Sequence, residues 1–249
     1  MLEKFVKTLD MRENELLLFT GNLMQLMQKL QAYNLNLKES LNSLLDTLNR
    51  GVGTLVLQTF NWDFCKGRDY DILHSKSQTG ALGNIALKRA DFKRTKHPIY
   101  SFAVSGKAQA KLCSLENKGA FDSLSPFAFM YENDAFMVIV DLPLQDSFTF
   151  VHFVEQNFNV SYRHNKSFSA NYTDEKGKKE KRTYDMFVRN EGVLTDVNPL
   201  ERILKNSGAM RVSFCENICI KKISLRAAYE LIALDITQNK AQSLHKFSH

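Results

Sequence analysis

Apolar positions along the chain follow two rhythms. Short runs at 15–20, 54–60, 100–105 and 136–140 are apolar or β-rich and are bounded by Gly, Asn or charged residues, so they read as buried strands. Helical stripes lie between them. Leu23, Met24, Leu26, Met27 and Leu30 form one, and Leu37, Leu41, Leu44, Leu45 and Leu48 form a second that stops at Arg50-Gly-Val-Gly53. The first sixty residues therefore read strand, helices, strand, the order of a parallel pair joined by a crossover.

The rhythm continues downstream. A polar loop at 61–77 precedes a helix at 80–89, with Leu82, Ile85, Ala86 and Arg89 in period. A further helix is expected at 107–115, and a short one opens with Ser125 as N-cap and Pro126 in the first turn. Residues 162–189 are polar and β-like around a charged turn. Strands near 210–214 and 218–223 lead into a helix capped by Ser224. No internal repeat or linker interrupts the series, so residues 1–249 are expected to form one domain. The alternation predicts an α/β fold, a layered α/β/α sandwich on a central mixed sheet.

Composition narrows the partners. With 44% hydrophobic and 24% charged residues the chain is ordinary globular material. A net charge of +6 and a pI near 9.0 favour anionic partners. No nucleic-acid motif is present, so phosphorylated small molecules are the better fit, and the basic cluster at 176–182 reads as a solvated hairpin tip. No apolar run is long enough to span a bilayer, and residues 1–10 are charged where a signal peptide would be apolar. A cytoplasmic location without membrane contact is expected. Cys65, Cys113, Cys215 and Cys219 are scattered, and Cys-x-x-x-Cys without histidine at ligand spacing is no zinc signature. If 211–221 is one extended run, Cys215 and Cys219 pack on the same side. No disulfide framework and no metal are expected.

The segment 146–155, Asp-Ser-Phe-Thr-Phe-Val-His-Phe-Val-Glu, concentrates the candidate chemistry. It follows a buried strand and the turn Asp141-Leu-Pro-Leu, and reads as a loop opening into a helix. His152 and Glu155, three apart, share a face, with Thr149 one turn earlier. Imidazole is the side chain best suited to take a proton near neutral pH. On the residues alone, His152 also reads as a packed helix histidine. Asp146 reads equally as an orienter of the imidazole or as a helix cap, and Glu155 as an orienter, an anchor for an ammonium group or a surface residue.

Taken in order, Gly53-Thr-Leu, Thr59-Phe60, Ser77-x-Thr79-Gly80-Ala81-Leu82, His97-Pro98 with Ser101, Ser125-Pro126-Phe127 and Asp146-x-x-Thr149-x-x-His152-x-x-Glu155 resemble the aminoglycoside 3-N-acetyltransferase family. The resemblance is carried by residues 53–155 and is thinner over 15–52 and beyond 183. Two places depart from it. The family's His-Ser-Ser-Leu element after the first strand reads Phe19-Thr20-Gly21-Asn22-Leu23, and its Pro-Thr-Phe reads Gln58-Thr59-Phe60. The chain also looks trimmed at its N-terminus, and these differences suggest a divergent branch.

The resemblance implies acetyl transfer from acetyl-CoA to an amine, with no metal. It implies His152 as general base with Asp146 and Glu155 beside it. It implies coenzyme contacts from Thr20, Asn22, Thr59, Ser77, Thr79, Gly80 and Ser125, Thr79-Gly80 opening a helix whose N-terminus attracts phosphate. His97 and Glu155 are expected at the acceptor, although His97, held extended before Pro98, serves equally as a loop lock. Direct transfer is simpler than an acyl-cysteine route, since no cysteine neighbours His152 in sequence. A basic chain suits a nucleotide-linked amino sugar, such as a dTDP-3-amino-3,6-dideoxyhexose used in lipopolysaccharide or other surface glycan assembly, better than a polycationic aminoglycoside. A resistance enzyme acting on aminoglycosides is the alternative, and a non-catalytic binding protein on the same fold the second. A homodimer is the assembly considered.

Overall fold

The structure, a computed structural model, describes residues 1–31 and 36–247. The chain begins with α1 (Leu2–Thr8), β1 (Leu16–Gly21), α2 (Met24–Gln31), α3 (Leu37–Gly51) and β2 (Thr54–Gln58). It continues through β3 (Tyr70–Asp71), α4 (Ala81–Ala86), β4 (Lys93–Arg94), β5 (Phe102–Gly106), α5 (Gln109–Ser114), α6 (Pro126–Glu132), β6 (Phe136–Val140) and α7 (Val151–Asn157). The last part holds β7 (Arg163–Thr173), β8 (Lys179–Arg189), β9 (Val193–Thr195), α8 (Asn198–Asn206), β10 (Met210–Cys215), β11 (Ile218–Ser224), α9 (Leu225–Gln238) and β12 (His245–Phe247).

Among the described residues seven strands form the main sheet in the order β10-β11-β6-β1-β2-β5-β4. β1 pairs parallel with β2 and β6, and antiparallel strands flank this trio. The expected crossover between β1 and β2 is present, built from α2 and α3. A capping box between Asn36 and Glu39 starts α3. Side chains alternate across the sheet with a period of two. Leu16, Leu18, Met137 and Ile139 face a core shared with α5, α6, α7, α8 and α9. Leu17, Phe19, Val138 and Val140 face the other core, under α1, α2, α3 and α4. The sheet is thus sandwiched between helical layers, as the alternation of elements predicted.

Three expectations need correction. The run 211–221 is not continuous. Glu216 takes a left-handed φ of 55° and the chain turns back, so Cys215 lies opposite Ile218 and Cys219 opposite Phe214 on separate strands. The loop at 61–77 carries more structure than its polarity suggests. β3 pairs parallel with β7, and Phe64, Tyr70 and Ile72 are buried with Tyr172 and Tyr184 in a small third core. Third, α1, α8 and the β9–β12 pair were not legible as elements. The segment 162–189 does form a long hairpin, β7–β8, around a charged turn.

Parallel pairing aligns the carboxyl ends of β6, β1 and β2. Val140 lies opposite Gly21, and Gln58 ends the neighbouring strand. Three loops leave from this one edge, the place where open α/β sheets bind ligands.

Candidate active site

The loop leaving β6 passes through Asp141 in a left-handed conformation, a 3-10 turn at Leu144–Asp146, and into α7. α7 sets His152 and Glu155 on one face, with His152 Nδ1 2.6 Å from Glu155 Oε2. The carboxylate is fully buried, while the imidazole keeps 18% of its side chain exposed. Glu155 has further partners. The Tyr162 hydroxyl donates to Oε1 at 2.9 Å, and Arg163 Nε lies 2.7 Å from Oε2. Burial pushes the Glu155 carboxyl upward, but His152, Arg163 and Tyr162 outweigh it and hold the group below its ordinary range. Burial, aided by the Arg163 charge, moves the imidazole below the ordinary histidine value against the opposing pull of Glu155. At neutral pH the ring is therefore uncharged, with Nδ1 turned to a carboxylate acceptor and Nε2 left as the basic nitrogen.

An aromatic wall stands beside the imidazole. Phe121 meets it edge-on at 5.8 Å between ring centres, Tyr100 packs on Phe121 at 5.0 Å, and Phe60 packs on Tyr100 at 4.8 Å. Trp62 extends the wall from Phe60 to solvent, with 37% of its surface exposed. Burial pushes the Tyr100 phenol up to about 12, so it remains protonated.

Next to these loops is a cavity of about 490 Å³. Thr20 near the end of β1 and Asn22 just after it, with Thr79 and Gly80 before α4, line it, so four of the seven expected coenzyme residues come together. Its remaining walls are largely apolar, including Met24, Met27, Leu41 and Leu82. Two glycines shape it by close approach. A Cβ on Gly21 would lie 2.6 Å from the Val140 carbonyl oxygen, and one on Gly83 would lie 2.8 Å from that of Gln58. Gln58 sits on the cavity wall, accepts from the Thr20 hydroxyl at 3.0 Å and donates to the Ser147 carbonyl at 3.3 Å.

The other expected residues lie elsewhere. Thr59 is sealed, bonded to the Ser101 hydroxyl at 3.0 Å, with buried Arg94 donating to its carbonyl at 2.7 Å. Ser125 is buried as the N-cap of α6. Ser77 is buried behind Thr79, their hydroxyls 2.9 Å apart. His97 has no exposed surface. Its Nδ1 accepts the Tyr100 backbone N–H at 3.1 Å, and burial pushes it down to about 4, so it locks the loop and does not face a substrate. Asp146 is exposed and neither bonds to His152 nor caps α7, because the 3-10 turn delays the helix to Val151. Glu155, sealed by its own partners, orients the imidazole and has no surface to offer an ammonium group.

Tyr162, Gln58 and Gly83 carried no sequence expectation as site residues, and Arg163, one of the basic residues of 162–189 that could contact phosphate, is instead buried against Glu155. The signal for Gln58 was the departure from Pro-Thr-Phe, which supplies a side chain able to span two loops. Among the described residues no cluster of His, Cys, Asp or Glu is arranged to hold a metal ion, and no helix is long and apolar enough to cross a membrane.

Residues 27–234 match the family model described as aminoglycoside 3-N-acetyltransferase. Solved structures share the fold. AAC-IIIb in binary complex with CoASH superposes with a TM-score of 0.76 at 13% identity, over 96% of this chain and 95% of its own. The YokD protein from Bacillus subtilis gives 0.73 at 17% identity, over 97% and 94%. AAC-VIa bound to sisomicin gives 0.73 at 15%, over 96% and 97%. No curated protein sequence matches the chain.

Proposed function

The chain belongs to the aminoglycoside 3-N-acetyltransferase family, and on that premise we propose that it moves an acetyl group from acetyl-CoA to the amine of an amino sugar, with His152 as general base. The observation that carries this reading is the uncharged, partly exposed imidazole held by a buried carboxylate. An ammonium group must lose a proton to become nucleophilic and the attacking amine must shed another, and a positioned base near its working pH contributes about 10²–10⁴-fold. In this mechanism His152 takes that proton as the nitrogen bonds to the thioester carbonyl and the carbon–sulfur bond breaks. Glu155 stabilises the imidazolium, which then returns the proton to the departing thiolate. Asp146, exposed and without a bond to His152, takes no part in this step.

The 490 Å³ cavity fits the acyl-pantetheine arm of the donor. Its walls are apolar, with Thr20, Asn22, Gln58 and Thr79 for the amides. No lysine or arginine is among the described residues that line it, which suits the pantetheine arm better than the diphosphate. Bound acetyl-CoA would supply the activated thioester, and the chain's own residues position it and move the proton.

Two acceptor classes are supported by different observations. The +6 charge and the sealing of Glu155 support a nucleotide-linked amino sugar, with one amine and an anionic carrier. The family and the sisomicin-bound relative support an aminoglycoside. A thiol-release assay with acetyl-CoA and both classes of acceptor decides between them. Release with neither class, by protein that binds no coenzyme, would return the chain to the non-catalytic reading.

A further inference from the structure

Glu155 is held from a direction that the acetyl-transfer chemistry does not require. Both carboxylate oxygens are occupied. Oε1 accepts from Tyr162 at 2.9 Å, and Oε2 faces His152 at 2.6 Å and Arg163 at 2.7 Å. Tyr162 and Arg163 are each secured by the small β9–β12 pair. The Tyr162 ring stacks on His245 of β12, centroids 3.8 Å apart and planes 16° from parallel. Arg163 donates through Nη2 to the Thr195 hydroxyl of β9 at 3.0 Å and through Nη1 to the Phe187 carbonyl at 3.2 Å. His245 and Thr195 are register partners across the pair. One rung of a two-stranded sheet thus supports both groups that fix the carboxylate.

The rung is itself anchored. Leu244, next to His245, is fully buried in the helical core. The Asp196 backbone N–H donates to the Leu244 carbonyl at 3.0 Å, and Lys246 pairs with the Asp196 carboxylate at 2.9 Å. Ring stacking and a charge-assisted hydrogen bond are both directional, so the brace constrains orientation as well as distance.

We propose that the β9–β12 pair is a brace for the general base: His245 and Thr195 hold Tyr162 and Arg163, these hold Glu155, and Glu155 holds the imidazole of His152. Tyr162, Arg163, Thr195 and His245 are positioning residues, since none of them touches the reacting atoms. The proposal rests on the reading of His152 as base, but its structural content is tested without turnover.

The experiment follows the His152 ring by NMR titration, its signal assigned with His152→Asn, alongside the pH dependence of kcat/KM. Tyr162→Phe deletes only the hydroxyl. The negative charge then concentrates on the face of Glu155 turned to the imidazole, so the ring titrates higher by about half a pH unit or more. The acid limb of kcat/KM moves up with it, and kcat falls about tenfold, the worth of a buried hydrogen bond to a charged group. His245→Ala shifts both in the same direction by less, and His245→Phe, which restores a stacking ring, recovers most of the loss. A Tyr162→Phe protein whose ring titration and acid limb coincide with wild type overturns the brace. So does a His245→Phe protein no better than His245→Ala. Wild-type protein that releases no thiol overturns the acetyl-transfer reading instead, and leaves the titration to judge the brace on its own.

Discussion

The side-chain amide of Gln58 donates to the backbone carbonyl of Ser147 at 3.3 Å while its oxygen accepts from Thr20 at 3.0 Å. One buried amide thereby ties the wall of the 490 Å³ cavity to the loop that leads into α7. Gln58→Ala removes both bonds. We expect KM for acetyl-CoA to rise and kcat to fall, each by about tenfold, since a buried hydrogen bond is worth about 1 kcal/mol and the loss frees partners on both sides. Steady-state kinetics with the donor varied will show whether both constants move.

His152→Asn keeps a side chain of similar reach but has no basic nitrogen. Acetyl transfer should fall by about 10²–10⁴-fold, with acetyl-CoA affinity roughly unchanged. Calorimetric titration with the coenzyme, next to the rate, separates a lost base from a lost fold.

Wild-type kcat/KM should keep its activity below the usual histidine range. The imidazole is active when neutral, and burial depresses its pKa. The midpoint of the acid limb therefore lies on the low side of the ordinary value of about 6.5. Glu155→Gln removes the countercharge that favours the imidazolium, so its limb should move lower still. The same substitution strands the buried Arg163 and should cost about 3–5 kcal/mol of stability, measurable by urea unfolding.

His97 provides a separate pH dependence. It is fully buried and pushed down to about 4 from an ordinary 6.5. Between those values the unfolded chain binds a proton that the native chain refuses, so stability rises with pH across this window. The contribution is complete above pH 6.5 and is lost on the way down to pH 4, amounting to about 3 kcal/mol. His97→Gln should flatten this part of the curve of unfolding free energy against pH.

Gly83→Ala tests the cavity proposed to hold the donor. The added Cβ would sit 2.8 Å from the Gln58 carbonyl oxygen and 3.1 Å from the Thr59 methyl, so α4 must move off β2. A stability loss of about 1–3 kcal/mol is expected. Weaker acetyl-CoA binding should accompany it, read by calorimetry.

Much of this architecture was legible because it is local. The runs at 54–60 and 136–140 are almost wholly buried, and such runs read plainly as strands. The three-residue spacing of His152 and Glu155 needed only one turn of helix to become a contact. The rest depends on distant pairings. Tyr162 meets His245 across most of the C-terminal third of the chain, and β9 and β12 are too short to show a period. α8 buries only Leu200 and Leu204 behind charged neighbours, and so it hid its register. Asp146 misled because the spacing from 146 to 155 suggests a continuous helix, whereas the 3-10 turn and the residues before Val151 intervene. Thr59 and Ser125 carry hydroxyls that serve the protein's interior, which residue type alone does not distinguish from ligand contacts.

Arg94 gives the segment 61–77 a character that its polar sequence conceals. Its guanidinium donates to the Ser75 and Thr59 carbonyls and to the Ser101 hydroxyl, gripping the segment at its far end and the strand before it. Phe64, Tyr70 and Ile72 fasten the middle. Such a segment does not swing shut over a guest. Residues 61–77 form a fixed rim rather than a hinged one, with Trp62 exposed on it.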